Sequence, residues 1–195
     1  MPGCSLWLLP PGSSPLYTTL TTLITSTLPS LLPSESPSFA PHLTLTSDIP
    51  PSVYSTSTSP QAWLDALPLP AASSVRVRFT DLCTHDAFFR RCFLQVAPGN
   101  GVEELAGVAR KWGVEGREDG EGRVEGWLGG YMPHVSLRYG NVPMDEERME
   151  VVRRAVGEAG VKLGEEGIGW EGGVVWLVPT DRPIGEWKPI AVREL

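Results

Sequence analysis

Two segments of the chain echo each other: Pro41-His42-Leu43-Thr44-Leu45 and Pro133-His134-Val135-Ser136-Leu137. Each gives proline, histidine, an aliphatic residue, a hydroxyl residue and an aliphatic residue, in that order. On a β-strand, residues two apart point to the same face, about 6.5–7 Å apart along the chain. His42 and Thr44 therefore share one face while Leu43 and Leu45 take the other. His134 and Ser136 do the same opposite Val135 and Leu137. Proline suits the position before each histidine, because a strand start need not donate a ladder hydrogen bond there. A lone histidine on a strand is more often packed or solvent-facing than catalytic. Here two of only three histidines occupy the same frame in the same local context, and that favours chemistry. The third, His85, sits in a turn-like Thr84-His85-Asp86 with no echo and reads as structural or surface.

Two imidazoles and two hydroxyls suit the opening of a cyclic phosphodiester. That reaction needs a base to take a proton from water and an acid to protonate the departing ribose oxygen. Histidine titrates near 6.5 when unperturbed, so one ring can be neutral and its twin charged near neutral pH. The phosphate oxygens need donors, which the Thr44 and Ser136 hydroxyls supply beside each ring. A metal site would want further carboxylates, thiols or imidazoles converging, and neither segment carries an acidic neighbour at ligand spacing. The expectation is a reaction without metal or other cofactor. Pseudosymmetry leaves open which histidine is acid and which is base.

The elements that must carry these residues form an α+β pattern of helices among mostly antiparallel strands. Leu6 to Leu9 reads as a strand. Ser14-Pro15 looks like a cap and first helical residue, with Leu16, Leu20, Leu23, Ile24 and Leu28 at helical spacing until Pro29. Phe39–Ser47 alternates as a strand, and residues 48–60, rich in Ser, Thr and Pro, read as a flexible loop with a helical turn around Ala62–Leu67. Val75–Phe79 and Ala87–Ala97 suggest a hairpin. Asn100 and Glu103 resemble a capping box for a helix bearing Val102, Leu105, Ala106 and Ala109. Residues 113–130 are rich in Gly and Glu without a period and read as a second flexible loop. Pro133–Tyr139 is a strand and Met144–Ala159 a helix, and Gly173–Val178 and Trp187–Val192 close the chain as strands.

With 195 residues the chain can form one sizeable core or two small lobes sharing one. No apolar run approaches the roughly 20 residues of a membrane span. Leu6-Trp7-Leu8-Leu9 is cut short by Pro10-Pro11 with no basic residue before it, unlike a secretory signal. The first Lys or Arg is Arg76, which argues against an Arg-rich transit peptide and for an intracellular protein. Cys4, Cys83 and Cys92 form no metal-ligand spacing and read as buried or idle thiols. The net charge of −7 disfavours a long nucleic-acid partner, which would require a basic face. It says nothing against a small nucleotide held by a few fixed donors.

At its two echoed segments the sequence resembles the two-histidine phosphoesterases, defined by paired H-x-[ST]-x motifs. Within them it is most similar to the fungal and plant 2′,3′-cyclic phosphodiesterases of the tRNA-splicing by-product pathway. The likeness runs through Trp7 with the following Pro-Pro, a helix, the first motif to Ser47, and the second motif read on to Arg138-Tyr139. It implies a single catalytic domain of two pseudo-symmetric lobes, antiparallel sheets with outer helices, and one motif per lobe facing a central cleft. His42 and His134 would be catalytic, and Thr44, Ser136 and Tyr139 would contact the phosphate. Trp7 would either stack on base or ribose or belong to the core. The implied substrates are ADP-ribose 1″,2″-cyclic phosphate and nucleoside 2′,3′-cyclic phosphates, the latter opened to 2′-phosphates, in a monomer that is cytoplasmic or Golgi-associated. Two rivals stand beside this reading. An RNA-end-processing relative, of the 2′-5′ RNA ligase or uridine-trimming kind, should offer a basic groove. A non-catalytic nucleotide-binding module would need donors but not two proton-transfer groups.

Overall fold

The computed structural model of the chain describes residues 3–33, 36–55, 59–116 and 121–195. Strand β1 (Cys4–Leu9) is buried along its whole length. Cys4, Leu6 and Leu8 enter the main core, while Trp7 and Leu9 pack with Val178 in a second cluster. A strand covered on both faces needs no polar alternation, which is why its sequence runs Leu-Trp-Leu-Leu.

Helix α1 (Pro15–Thr22) starts at Ser14, whose hydroxyl accepts the Leu16 N–H. The helical path does not stop at Pro29: a π-helical turn over Leu23–Thr27 leads into α2 (Leu28–Leu31). Leu28 N–H reaches back five residues to the Leu23 carbonyl, and this widened turn carries the chain past a proline that a regular ladder would reject. Thr21, Thr25 and Ser30 each give a hydroxyl proton to the carbonyl four residues back. These weak helix formers thus satisfy their side chains locally, and Leu16, Leu20, Leu23, Ile24 and Leu28 face the core.

Strand β2 (Leu43–Ile49) begins just after His42, not at Phe39. Much of the Ser/Thr/Pro-rich stretch is helical, in α3 (Pro51–Ser55) and then α4 (Pro60–Asp65), while residues 56–58 lie outside the described residues. Strands β3 (Arg76–Cys83) and β4 (Cys92–Val96) form the expected hairpin. β4 is shorter than the alternation suggests because Phe88–Arg90 is a 3₁₀ turn. Helix α5 (Val102–Arg110) is entered through Gly101 at φ 77°, and not capped by the Asn100 side chain. Glu103 instead accepts the Gly99 N–H.

Helix α6 (Glu121–Leu128) occupies sequence that reads as a loop, with residues 117–120 outside the described residues. Its Val124 and Leu128 side chains lie against Gly107 of α5, a contact that local periodicity does not encode. β5 (His134–Arg138) is followed by α7 (Glu146–Glu158), whose Asp145 cap accepts the Arg148 N–H. The short β6 (Gly169–Glu171), then β7 (Val174–Pro179) and β8 (Ala191–Glu194), complete the chain. Trp187 lies outside β8, after a 3₁₀ turn over Ile184–Glu186. Among the described residues no helix is long and apolar enough to cross a membrane.

The eight strands make one curled antiparallel sheet in the order β6-β3-β4-β5-β2-β1-β7-β8. The main core lies between this sheet and the apolar faces of α1, α5 and α7. The sheet is continuous where the family likeness suggests a sheet in each lobe. Its two four-stranded halves meet at β5 and β2, paired antiparallel through Leu43 and Val135. These are the residues that follow the two histidines. Continued one step to either side, the register sets His42 opposite Ser136 and Thr44 opposite His134. Leu43 and Val135 are fully buried. Leu43→Ala is therefore expected to cost about 2–5 kcal/mol in urea denaturation, loosening the joint on which both histidine segments depend.

Candidate active site

The four polar side chains of the echoed segments line one cleft of about 470 Å³, within the usual range for small-ligand sites. Its floor comes from the sheet: Ser5 and Trp7 on β1, Thr44 on β2, and His134 and Ser136 on β5, with His42 just ahead of β2. Its walls are aromatic, with Phe89, Tyr139 and Trp187 among them, and Trp127 and Tyr131 from α6 and the turn after it. Among the described residues that line it there is no carboxylate, although the chain carries 23 acidic residues.

Both histidines are held by the same local device. His42 Nδ1 lies 2.7 Å from the Ala40 carbonyl oxygen, and His134 Nδ1 lies 2.8 Å from that of Met132. In each case the acceptor is two residues back, across the proline. Proline fixes its own φ and pushes the residue before it into an extended conformation, so that carbonyl is set in place beside the ring. A neutral imidazole that donates from Nδ1 keeps its lone pair on Nε2, and this is the atom each ring keeps for chemistry.

Burial does the rest. His42 is 5% exposed, and desolvation pushes its pKa down to about 4; the Ala40 carbonyl opposes the shift and His134 adds to it. The His134 pKa is also lowered, mainly by desolvation, with the Met132 carbonyl opposing and Arg90 and His85 contributing. With both pKa values lowered, the two rings are neutral at pH 7. An arriving phosphate anion reverses the electrostatic sign and favours protonation of one of them.

Trp7 is only 2% exposed and stacks face to face on His42, with ring centroids 3.7 Å apart. It is a packing partner of the imidazole and does not present an open platform for a base. Tyr139 is buried, stacks on Phe39, and brings its hydroxyl to 3.4 Å from His42 Nε2. Burial raises its pKa, and a hydrogen bond with Ser136 opposes the shift. Ser136 gives its own proton to the Phe89 carbonyl at 2.7 Å. Because the neutral His42 ring carries its proton on Nδ1, the Tyr139 hydroxyl donates to the Nε2 lone pair.

The two hydroxyls of the echoed segments are therefore not equivalent. Thr44 has a backbone carbonyl that accepts from Tyr131 at 2.9 Å, while its hydroxyl has no partner among the described residues and is ready for a ligand. Ser136 must release Phe89 to donate to one. His85 is exposed, its ring edge-on to Phe93, and it does not line the cleft. Sequence reading missed Phe89, Arg90, Trp127, Tyr131 and Trp187. Only the i, i+4 spacing of Trp127 and Tyr131 offered a signal, in a stretch whose glycines conceal it. Among the described residues, no cluster of three or more His, Cys, Asp or Glu is placed to hold a metal ion.

A family model described as "cyclic phosphodiesterase-like protein" matches residues 1–195. A protein of Neurospora crassa named 2',3'-cyclic-nucleotide 3'-phosphodiesterase is 48% identical, with all of both chains covered. One of Phaeosphaeria nodorum with the same name is 39% identical, again with all of both chains covered. A third, from Yarrowia lipolytica, is 30% identical and covers 98% of this chain and 99% of its own.

Two expectations follow from the geometry. In the unfolded chain His42 should titrate near 6.5, against about 4 in the fold. The unfolded state thus takes up the proton first, and stability present above pH 6.5 is lost as pH falls towards 4. From this one group the loss is about 3 kcal/mol. His42→Gln should flatten that part of the profile in urea denaturation between pH 7 and 4.5. Ser136→Ala should cost about 0.5–1.5 kcal/mol in the same assay, because it removes a part-buried hydrogen bond to the Phe89 carbonyl. Thr44→Ala, losing no such bond, should cost clearly less.

Proposed function

This chain belongs to the cyclic phosphodiesterase-like family, and from that premise we propose that it opens 2′,3′-cyclic nucleotides to 2′-phosphates by metal-free acid–base catalysis on His42 and His134. ADP-ribose 1″,2″-cyclic phosphate, which presents the same cyclic phosphodiester on ribose, is a further substrate. The observation that carries the reading is the pair of imidazoles locked by equivalent Nδ1 bonds at the floor of one cleft. We read the two four-stranded halves of the sheet as the two pseudo-symmetric lobes, related by an axis through the Leu43–Val135 pair.

His134, the more accessible ring, takes a proton from water on Nε2 as the water oxygen attacks phosphorus. The bond from phosphorus to the 3′ oxygen breaks, and protonated His42 gives its Nε2 proton to that oxygen. Two features suit His42 to the acid role: the Trp7 face beneath it favours an imidazolium, and the Tyr139 hydroxyl, once its proton turns away, accepts from a protonated Nε2. Thr44 donates to a non-bridging phosphate oxygen, and Ser136 does so once it gives up the Phe89 carbonyl. The proton on His134 returns through solvent to His42 for the next turnover.

His42→Ala and His134→Ala are each expected to lower turnover by about 10²–10⁴-fold, with the fold intact by circular dichroism. A substrate with an activated leaving group should restore much of the rate to the His42 variant and little to the His134 variant. The reverse pattern would exchange the two roles. Activity should persist in excess chelator; loss of activity with rescue by a divalent ion would overturn the metal-free mechanism.

A further inference from the structure

An aromatic residue stands three positions before each paired histidine: Phe39-Ala40-Pro41-His42 and Tyr131-Met132-Pro133-His134. The two aromatics differ by one hydroxyl, and that hydroxyl has a definite partner. Tyr131 donates to the Thr44 carbonyl at 2.9 Å, whereas Phe39 stacks on Tyr139 with ring centroids 3.8 Å apart. Burial pushes the Tyr131 phenol above its usual range, with Glu103 adding to the shift, so it keeps its proton. A carbonyl can only accept, and the bond therefore has one sense, from Tyr131 to Thr44.

Thr44 stands where β2 loosens from both neighbours. On the β1 side the register slips between the pairs Trp7–Thr44 and Leu6–Thr46, leaving Leu45 as an extra residue of β2. On the β5 side the ladder among the described residues is the single pair Leu43–Val135. A bulge bends its strand and re-aims side chains, so the ladder alone does not set the direction of the Thr44 hydroxyl. Tyr131 supplies the further restraint. Its N–H donates to the Leu128 carbonyl at 3.1 Å, and its ring lies against Trp127 with centroids 4.9 Å apart. The residues that follow complete a clamp: the Met132 carbonyl holds His134 Nδ1 at 2.8 Å, and the Pro133 carbonyl accepts the Val96 N–H at 3.0 Å. One short segment, residues 131–134, thus holds both the Thr44 backbone and the His134 ring.

We infer that Tyr131 is a positioning residue: by holding the Thr44 carbonyl it aims the Thr44 hydroxyl at the phosphate on which His134 acts, without touching that phosphate itself. This rests on the proposed phosphodiesterase reading for the role of Thr44 as phosphate donor, and binding tests it apart from turnover. Tyr131→Phe removes the hydroxyl and keeps the ring against Trp127. Tyr131→Phe, Thr44→Ala and the double variant form a cycle with wild type. Two quantities are measured on each: kcat/KM for adenosine 2′,3′-cyclic phosphate, and calorimetric affinity for adenosine 2′-monophosphate.

Thr44→Ala is expected to lower both quantities by about 10–100-fold, the worth of one hydrogen bond to an anion. Tyr131→Phe should lower them by about 3–10-fold when Thr44 is present, a part of that bond, and by less than about twofold when Thr44 is already alanine. Equal losses in the two backgrounds would mean that Tyr131 acts on the phosphate directly or on the fold at large, and would overturn the inference. An unchanged Tyr131→Phe protein would overturn it too. The nitrogen-15 spectrum of Tyr131→Phe should show His134 still in its Nδ1–H tautomer; its loss would show that the phenol supports the whole segment, against the inference. If wild type leaves the cyclic nucleotide intact, the phosphodiesterase reading fails, while the binding cycle still decides the role of Tyr131.

Discussion

The site depends on one pairing across the middle of the sheet. Leu43 and Val135 face each other where β2 and β5 run antiparallel, and each follows a histidine. An antiparallel pair is two-fold symmetric about its midpoint, so one contact relates the two segments to each other. Because side-chain direction alternates along a strand, the same contact that buries two aliphatic residues turns two imidazoles and two hydroxyls to the opposite face. A one-residue slip would send the histidines into the core and the aliphatic residues into the cleft. The apolar positions of each segment are thus as much a part of the site as the polar ones.

Symmetry of backbone does not produce symmetry of environment. Both rings hold an Nδ1 bond to the carbonyl two residues back, but His42 is stacked on Trp7 with the Tyr139 hydroxyl at its Nε2, while His134 meets the edge of Phe93. Ser136 is tied to a turn carbonyl, and Thr44 is not. Two copies of one motif are thereby given different proton affinities and different donors. That difference is what an acid and a base acting on one phosphorus require. Desolvation supplies the rest: in a cleft whose described lining lacks carboxylates, neither ring is charged until an anion arrives.

The sequence carried the parts of this that local periodicity can carry. The echoed segments, β1, the β3–β4 hairpin and α7 are legible because each has its own pattern of apolar spacing or capping. The misread regions are those whose structure is set from a distance. α6 is helical because Val124 and Leu128 find Gly107, and the helix passes Pro29 because a π-turn precedes it. Trp7 was legible as strand and ambiguous in role; only its neighbour across the sheet shows that it packs beneath His42. Arg90 offered no signal, since nothing in its local pattern says that it lines the cleft.

The central claim is that each imidazole is neutral in the free protein, protonated on Nδ1, and offers Nε2 to the cleft. Nitrogen-15 NMR of the histidine side chains reads this directly, since the two neutral tautomers and the imidazolium have distinct nitrogen shifts. At pH 7 the account predicts the Nδ1–H tautomer for both His42 and His134, with His42 remaining neutral until the pH approaches 4. A dominant Nε2–H tautomer for either ring, or a His42 already half protonated near pH 6.5, would contradict it.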